Sequence, residues 1–279
     1  MFSIFSRSVA AFVASVSGGG GGGANNSTAQ QEGHSSDGVQ SVKSGGNNRR
    51  TSSIKSMSRQ QKFEIERGTN NVDEIVQYLL EHFVPNEPIL ASLSIDRIDE
   101  LTKLLSDLVT DAVNCSSTCI VRCPQTQQID GVLLACKASL FDMQIDRLCG
   151  YEFENERVAT ACEFLKYVFN RLDITYHFEE NKIFNPIFIA VVSVRHDKWE
   201  KGVASAMLDA SILAAKTDKC DGAITLASNS RACRLISKRF PITIQSIRYD
   251  TFRGQHRNPP IVMPKDESQR ALYVMLSRF

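Results

Sequence analysis

The run IFIAVVSV, Ile187 to Val194, carries no charge and is dominated by β-branched side chains. A stretch that is apolar on both faces of its pleat belongs in the interior of a sheet covered on both sides. The next thirty residues narrow the fold further. A short basic loop, RHDKWEKG, ends at Gly202, and Val203, Met207, Ala210 and Ala214 then repeat on one helical face. A second apolar strand, GAITLA, starts at Gly222. Strand, crossover helix and strand at this spacing put two parallel strands at the centre of one sheet.

The flanking sequence supplies the rest of a mixed α/β domain. From about Gln61, Phe63 and Ile65 alternate with Glu64 and Glu66, the pattern of a short half-exposed strand ending at Gly68. Val72, Ile75, Val76, Leu79, Leu80 and Phe83 fall at helical spacing, with Asn70 or Asn71 as N-cap. VPNEP stops that helix, because Pro85 and Pro88 cannot continue it. Ile98, Leu101, Leu105, Leu108 and Ala112 line a second helix. Strands are expected at about 118–123 and 131–139, joined by the polar turn PQTQQID. A helix through Val158, Cys162, Leu165 and Phe169 and a polar loop precede the central strand. After GAITLA come the helix SRACRLISKR, the strand ITIQSIRY, a proline-rich loop and the strand ALYVMLSR.

Composition sets bounds on partners and compartment. Thirty-two basic and thirty-one acidic residues nearly cancel, and no basic block interleaves with aromatics, so nothing points to nucleic acid. No apolar run reaches the ~18–20 residues of a membrane span. Eight cysteines are scattered through the globular region. That distribution suits reduced thiols in a cytosol-like compartment better than a secreted disulfide framework. Cys115, Cys119 and Cys123 are spaced four apart, but with no nearby histidine or CxxC pair they read as buried thiols rather than a metal site. Residues 1–60 are different material: an unbroken glycine run, Gly18 to Gly23, then Asn, Ser, Gln and Gly with almost no large apolar residue. Such a segment is expected to be a disordered tail. Its first residues, MFSIFSRSVAAFVASVS, precede the first acid, Glu32, and fit a mitochondrial presequence over 1–17, a weak secretory signal or a dispensable extension of a cytoplasmic protein. RRTS, Arg49 to Ser52, has the form of a basophilic kinase site.

The loop after the central strand carries a chemical expectation. A helix entered from a buried strand presents free N–H groups and the positive end of its dipole, and a glycine lets an anion come close. EKGVAS fits a phosphate cradle, with Gly202 at the turn, small Ala204 and Ser205 beyond it, and Lys198 and Lys201 beside it. A structural strand–helix turn would carry a glycine equally well.

Four segments together resemble the GNAT acetyltransferase superfamily and, within it, the arylalkylamine N-acetyltransferase-like branch. The superfamily's Val-x-Pro-x-x-Arg-x-x-Gly-x-Gly/Ala pattern reads here as Val194, His196, Trp199, Gly202 and Ala204. Its Asn-x-x-Ala-x-x-Leu-Tyr-x-Lys-x-Gly-Phe helix reads as Asn229, Ala232, Leu235, Ile236, Lys238 and, one residue contracted, Phe240. FVPNEPIL, Phe83 to Leu90, matches the branch's Glu-Pro segment, and IRYDTF stands where that branch has an aromatic strand. The resemblance covers about residues 61 to 279. It implies a GNAT fold: a mixed central sheet with flanking helices and a splayed parallel strand pair that holds acyl-CoA.

The resemblance also implies roles. Val192, Ser193 and Val194 would pair through their backbone with the pantetheine arm of acetyl-CoA, helped by Asn229. Glu200, Lys201, Gly202, Val203, Ala204 and Ser205 would form the pyrophosphate cradle. Trp199 stands in place of a cation or amide, where its indole could stack on the adenine. Glu87 would be the general base, acting through water, or else the cap of the helix beyond it. Ile236 replaces the tyrosine acid of many members, leaving Ser228 or Ser230 as proton donor or as N-cap of their helix. His82 is a titratable group near the cleft or a surface residue. The implied activity is direct, metal-free acetyl transfer from acetyl-CoA to a small, arylalkyl-type amine. A catalytically silent domain that binds CoA or a protein partner is the alternative.

Overall fold

A computed structural model describes residues 64–67, 71–95, 99–137, 153–199, 202–254, 261 and 270–279. The expected tail, presequence and kinase motif lie outside the described residues, as do Glu200 and Lys201.

Seven strands form one sheet: β1 (Glu64–Arg67), β2 (Cys119–Arg122), β3 (Ile129–Lys137), β4 (Pro186–Val194), β5 (Gly222–Ala227), β6 (Ile242–Arg248) and β7 (Ala271–Arg278). They lie in the order β1-β2-β3-β4-β5-β7-β6. Every neighbouring pair is antiparallel except β4 and β5. The helix-linked parallel pair expected from the apolar runs is therefore the pivot of the sheet.

The helices are α1 (Val72–Tyr78), α2 (Pro88–Ser92), α3 (Asp99–Val113), α4 (Glu156–Asn170), α5 (Ile174–Glu180), α6 (Val203–Thr217) and α7 (Ser230–Ile236). Local chemistry starts them: Asn71 Oδ1 accepts from Glu74 N–H at 3.2 Å, and Asp173 Oδ1 from Tyr176 N–H at 2.9 Å. The single helix expected to run from Val72 through Phe83 does not keep one geometry. It widens into a π-turn over Leu79–Phe83 before Pro85 ends it, and a further short helix, α2, begins on Pro88. The polar loop expected before β4 contains α5.

Two cores face each other across the sheet. One gathers Leu79, Phe83, Leu105, Leu108, Phe164 and Phe169 from the α1–α4 side. The other packs Val203, Met207 and Leu208 of α6 and Ile236 of α7 under Leu133, Val192 and Met275. α6 lies close to β3 at Gly131, where a Cβ would stand 3.0 Å from Met207 Cε and 3.2 Å from Val203 Cγ1. At the other edge, Arg122 bonds Glu66 at 2.8 Å and Glu74 at 2.5 Å, tying β1 and β2 to α1.

Two bulges shape the ends that matter. On β4, Leu134 faces Val191 while Ala135 faces Ile189, so Ala190 is the extra residue. The side chains register the slip: Ile187 and Ile189 enter the α6-side core, Phe188, Ala190 and Val191 the other, and Val192 and Val194 return to the α6 side. One added residue thus flips the alternation halfway along the strand. On β3, Val121 faces Gly131 and Arg122 faces Ile129, leaving Asp130 as the bulged residue.

Candidate active site

β4 and β5 pair only over Pro186–Ile189 and Gly222–Thr225. Thr225 Oγ1 closes the last rung by donating to the Ile189 carbonyl at 2.9 Å. Beyond it, from the Ala190 bulge to Val194, β4 has β3 on one edge and, among the described residues, no strand on the other. The orientation of that open edge is set by Arg195 N–H, which donates to Asp130 O at 2.9 Å. Alternation along an antiparallel ladder then turns the backbone of Ser193 to β3, and that of Val192 and Val194 away from it, into the fork. Of the three strand residues expected to meet a ligand, two present backbone to the fork. Ser193 does not, and its hydroxyl lies beside the Tyr78 phenol instead.

The open half of β4 leads through a short loop to Gly202, which caps α6 at φ 83° with no side-chain cap. A side chain there would meet no atom within 4 Å, so what demands glycine is the left-handed backbone. The N–H groups of Val203, Ala204 and Ser205, in the first turn of this fifteen-residue helix, have no intrahelical acceptor. Ser205 Oγ accepts from Arg239 at 2.6 Å, and the same guanidinium grips Asp209 at 2.6 Å.

Lys198, expected beside this turn, is engaged elsewhere. Lys198 Nζ sits 3.2 Å from Asp130 Oδ2, and Arg195 lies 3.7 Å from Asp130 Oδ1. Asp130 is buried and re-aimed by its bulge, and it draws Lys198 back to the sheet end, while Arg195 is held mainly by Asp197 at 3.0 Å and only more distantly by Asp130. Trp199 also turns inward, its indole N–H donating to the Val194 carbonyl at 2.8 Å with the ring 4.0 Å from His196. The expected adenine-stacking role is not its disposition in this structure. His82 is half-buried against Tyr78, and burial, then the Arg195 charge, lowers its pKa.

On the other arm of the fork, β5 ends at Ala227 and Ser228–Asn229 lead into α7. Asn229, and neither serine, is the N-cap: its Oδ1 accepts from Ala232 N–H at 2.8 Å. The structure thus gives Asn229 a capping bond and leaves Ser228 without one. Ser228 is fully buried, its hydroxyl facing the Glu87 carboxyl without a well-formed hydrogen bond, while Ser230 is half-buried at the first helical position.

Glu87 stands beside Ser228. Its Oε2 caps α2 by accepting from Leu90 N–H at 2.8 Å, and its Oε1 is buried with no partner. Burial pushes the Glu87 carboxyl up to about 8, against the pull of the α2 backbone N–H groups and Ser228. Tyr249, buried against Phe164, donates its hydroxyl to the Ser228 carbonyl at 2.7 Å and fixes this corner from beneath. The resemblance matches IRYDTF to an aromatic strand without singling out Tyr249, and the sequence puts Asp130 in a polar turn. The available signal for Asp130 was a lone carboxylate at the start of an otherwise apolar strand. Among the described residues no group of His, Cys, Asp and Glu is arranged to hold a metal, and no helix is long and apolar enough to cross a membrane.

No protein-family model matches the chain, and no curated sequence does. Solved structures match its shape. Arylalkylamine N-acetyltransferase 2 from Aedes aegypti aligns over 77% of this chain and 98% of its own, with a TM-score of 0.58 at 17% identity. The Drosophila melanogaster polyamine N-acetyltransferase, an enzyme that forms N-acetylagmatine, aligns over 78% and 100%, with a TM-score of 0.61 at 9% identity. The C-terminal condensation domain of Ebony, in complex with β-alanyl-dopamine, aligns over 78% and 99%, with a TM-score of 0.57 at 12% identity.

The chain has the GNAT fold. The β4–β5 fork, the glycine-capped α6 and the Glu87–Ser228 corner are where this fold leaves backbone groups and buried side-chain oxygens without partners among the described residues.

Proposed function

We propose that this GNAT domain is an acetyl-CoA-dependent N-acetyltransferase that transfers acetyl directly to a small amine. The observation that carries the reading is the open half of β4 followed, after the short loop 195–201, by a helix N-terminus without a side-chain cap. An amide-bearing arm can add to a strand edge as a further strand does, and a pyrophosphate suits the free N–H groups of a first turn. Val192 and Val194 supply the edge, and Gly202 to Ser205 supply the turn. Glu200 and Lys201 are assigned to the same cradle by the family resemblance alone.

The chemistry falls to the corner at Glu87. An ammonium cannot attack a thioester, so a proton must leave the substrate before the nitrogen lone pair reaches the acetyl carbon. A carboxyl that titrates near 8 is matched to that task at neutral to mildly alkaline pH. The N–C bond forms, the C–S bond breaks, and the departing thiolate takes a proton. Ser228, whose hydroxyl is buried beside Glu87, is favoured over Ser230 as the donor. An arylalkyl or polyamine-type acceptor is the finer reading, supported by the Glu-Pro segment and by what the structural neighbours act on. The proposed domain boundary puts this unit at 61–279, with 1–60 as a tail.

Calorimetric titration of the full chain with acetyl-CoA, then a thiol-release screen over small amines, tests the reading. Micromolar binding and amine-dependent thiol release support it. Binding without thiol release for any amine would leave a silent CoA-binding module, and absence of binding would remove the cofactor role altogether.

A further inference from the structure

The open edge of β4 is partly occupied by the protein's own side chain. The ladder alternation leaves four backbone groups facing the fork: the N–H and C=O of Val192 and those of Val194. The indole N–H of Trp199 already holds one of the two carbonyls, Val194 O, at 2.8 Å. A ligand arm that pairs with this edge needs the carbonyls for its amide N–H donors. Trp199 and such an arm therefore compete for one acceptor.

We propose that Trp199 sets the ligand selectivity of the fork by competing with the amide arm of CoA for the Val194 carbonyl and yielding it on binding. The inference rests on the reading of β4 as the seat of that arm. Three observations make the indole a displaceable occupant rather than a permanent cap. Trp199 is only half-buried, whereas the strand it bonds is buried throughout. Its ring rests on His196, a neighbour in the same short loop, 4.0 Å between centroids, and packs on the margin of the α6-side core without being enclosed by it. The loop itself is fastened independently, by Lys198 and Arg195 on the buried Asp130. The indole can swing out without the loop leaving the sheet end.

The consequence is a shift in where cofactor affinity comes from. The arm must displace a hydrogen bond before it makes its own, so its net contribution is reduced, while the nucleotide end is untouched. Removing the indole N–H should strengthen binding of an arm-bearing ligand by about three- to tenfold, the span of one ordinary hydrogen bond. It should leave an arm-less nucleotide unaffected.

Trp199 is the only tryptophan in the chain, so its fluorescence reports this ring alone. The full-length protein is titrated with CoA and, separately, with adenosine 3′,5′-bisphosphate, recording heat and emission together. The proposal expects CoA to shift the emission, and the bisphosphate to bind without shifting it. W199F should bind CoA three- to tenfold more tightly and the bisphosphate within twofold of wild type. CoA uptake with unchanged emission, or weaker CoA binding by a W199F protein of normal melting temperature, overturns this proposal alone. Failure of both wild type and W199F to take up CoA overturns the acetyltransferase reading as well. The wild-type fluorescence arm needs no variant, so the test survives a W199F protein that does not fold.

Discussion

The two halves of β4 are equally buried and nearly equally apolar, yet they live different lives. Ile187–Ile189 is paired on both edges; Val191–Val194 is paired on one and opens the other to the fork. Burial depends on side chains, and both halves supply apolar ones, Ile and Phe in the first and Ala and Val in the second. Pairing depends on backbone direction, and a single bulged residue, Ala190, changes it. A strand can thus be core along its whole length and a binding edge along half of it.

If the open half holds the cofactor, Glu87, beside Ser228 on the other arm of the fork, should matter for rate and not for grip. Glu87→Gln is expected to lower kcat by about 100-fold, the scale of a lost general base, with acetyl-CoA affinity unchanged. Steady-state kinetics beside calorimetry would show it, and a parallel loss of affinity would break the separation. Wild-type kcat should rise with pH through about 8 as Glu87 ionises, and the variant should lose that limb. At the exit of the open half, Gly202→Val forces a β-branched residue to a φ of 83° and should weaken acetyl-CoA binding by about 30-fold. An unchanged dissociation constant would show that the helix turn holds nothing.

The same glutamate gives a stability signature. Its folded pKa of about 8 lies above an ordinary glutamate's 4.5, so between those values the folded chain keeps a proton that the unfolded chain releases. Stability therefore falls as pH rises across that window. Glu87→Gln should flatten the fall and leave the variant more stable than wild type at pH 9 by about 2 kcal/mol. Urea denaturation at several pH values would measure it, and identical slopes would sink the buried-carboxyl account. The smallest effect concerns the closed half. Thr225→Val removes the donor to the Ile189 carbonyl and should cost about 1 kcal/mol of stability, with acetyl-CoA affinity within twofold of wild type. A large affinity loss would mean that the two halves are not independent.

Much of the fold was legible because its signals are local and periodic. The apolar runs at Ile187 and Gly222, with a helical repeat between them, fix the parallel pair, and Asn71 before an apolar repeat marks the start of α1. The π-turn at Leu79–Phe83 was not legible, since a widened turn keeps apolar residues at nearly helical spacing. Neither bulge could be read. In β4 every residue around Ala190 is small or apolar, so a one-residue slip exchanges one acceptable core residue for another and leaves no trace in the pattern. The site suffered for it. Gly202 and Glu87 stand out by residue type, but the roles of Lys198 and Trp199 depend on Asp130 and on the direction of the Val194 carbonyl, both set by bulges. Ser228 and Ser230 looked alike in the sequence. Burial beside Glu87 tells them apart, since Ser228 is fully buried there and Ser230 is half-exposed.

The placement of β7 has a consequence for how the molecule is made. β7 comes after β6 in the chain but lies between β6 and β5, pairing Ala227 with Tyr273 on one side and Arg248 with Ala271 on the other. As the chain leaves the ribosome, β5 and β6 emerge with no strand between them, and the arm of the fork that carries Ser228 has an unsupported outer edge. The sheet cannot close, and the fork cannot take its shape, until the last inserted strand slides into a slot that its predecessors have kept open.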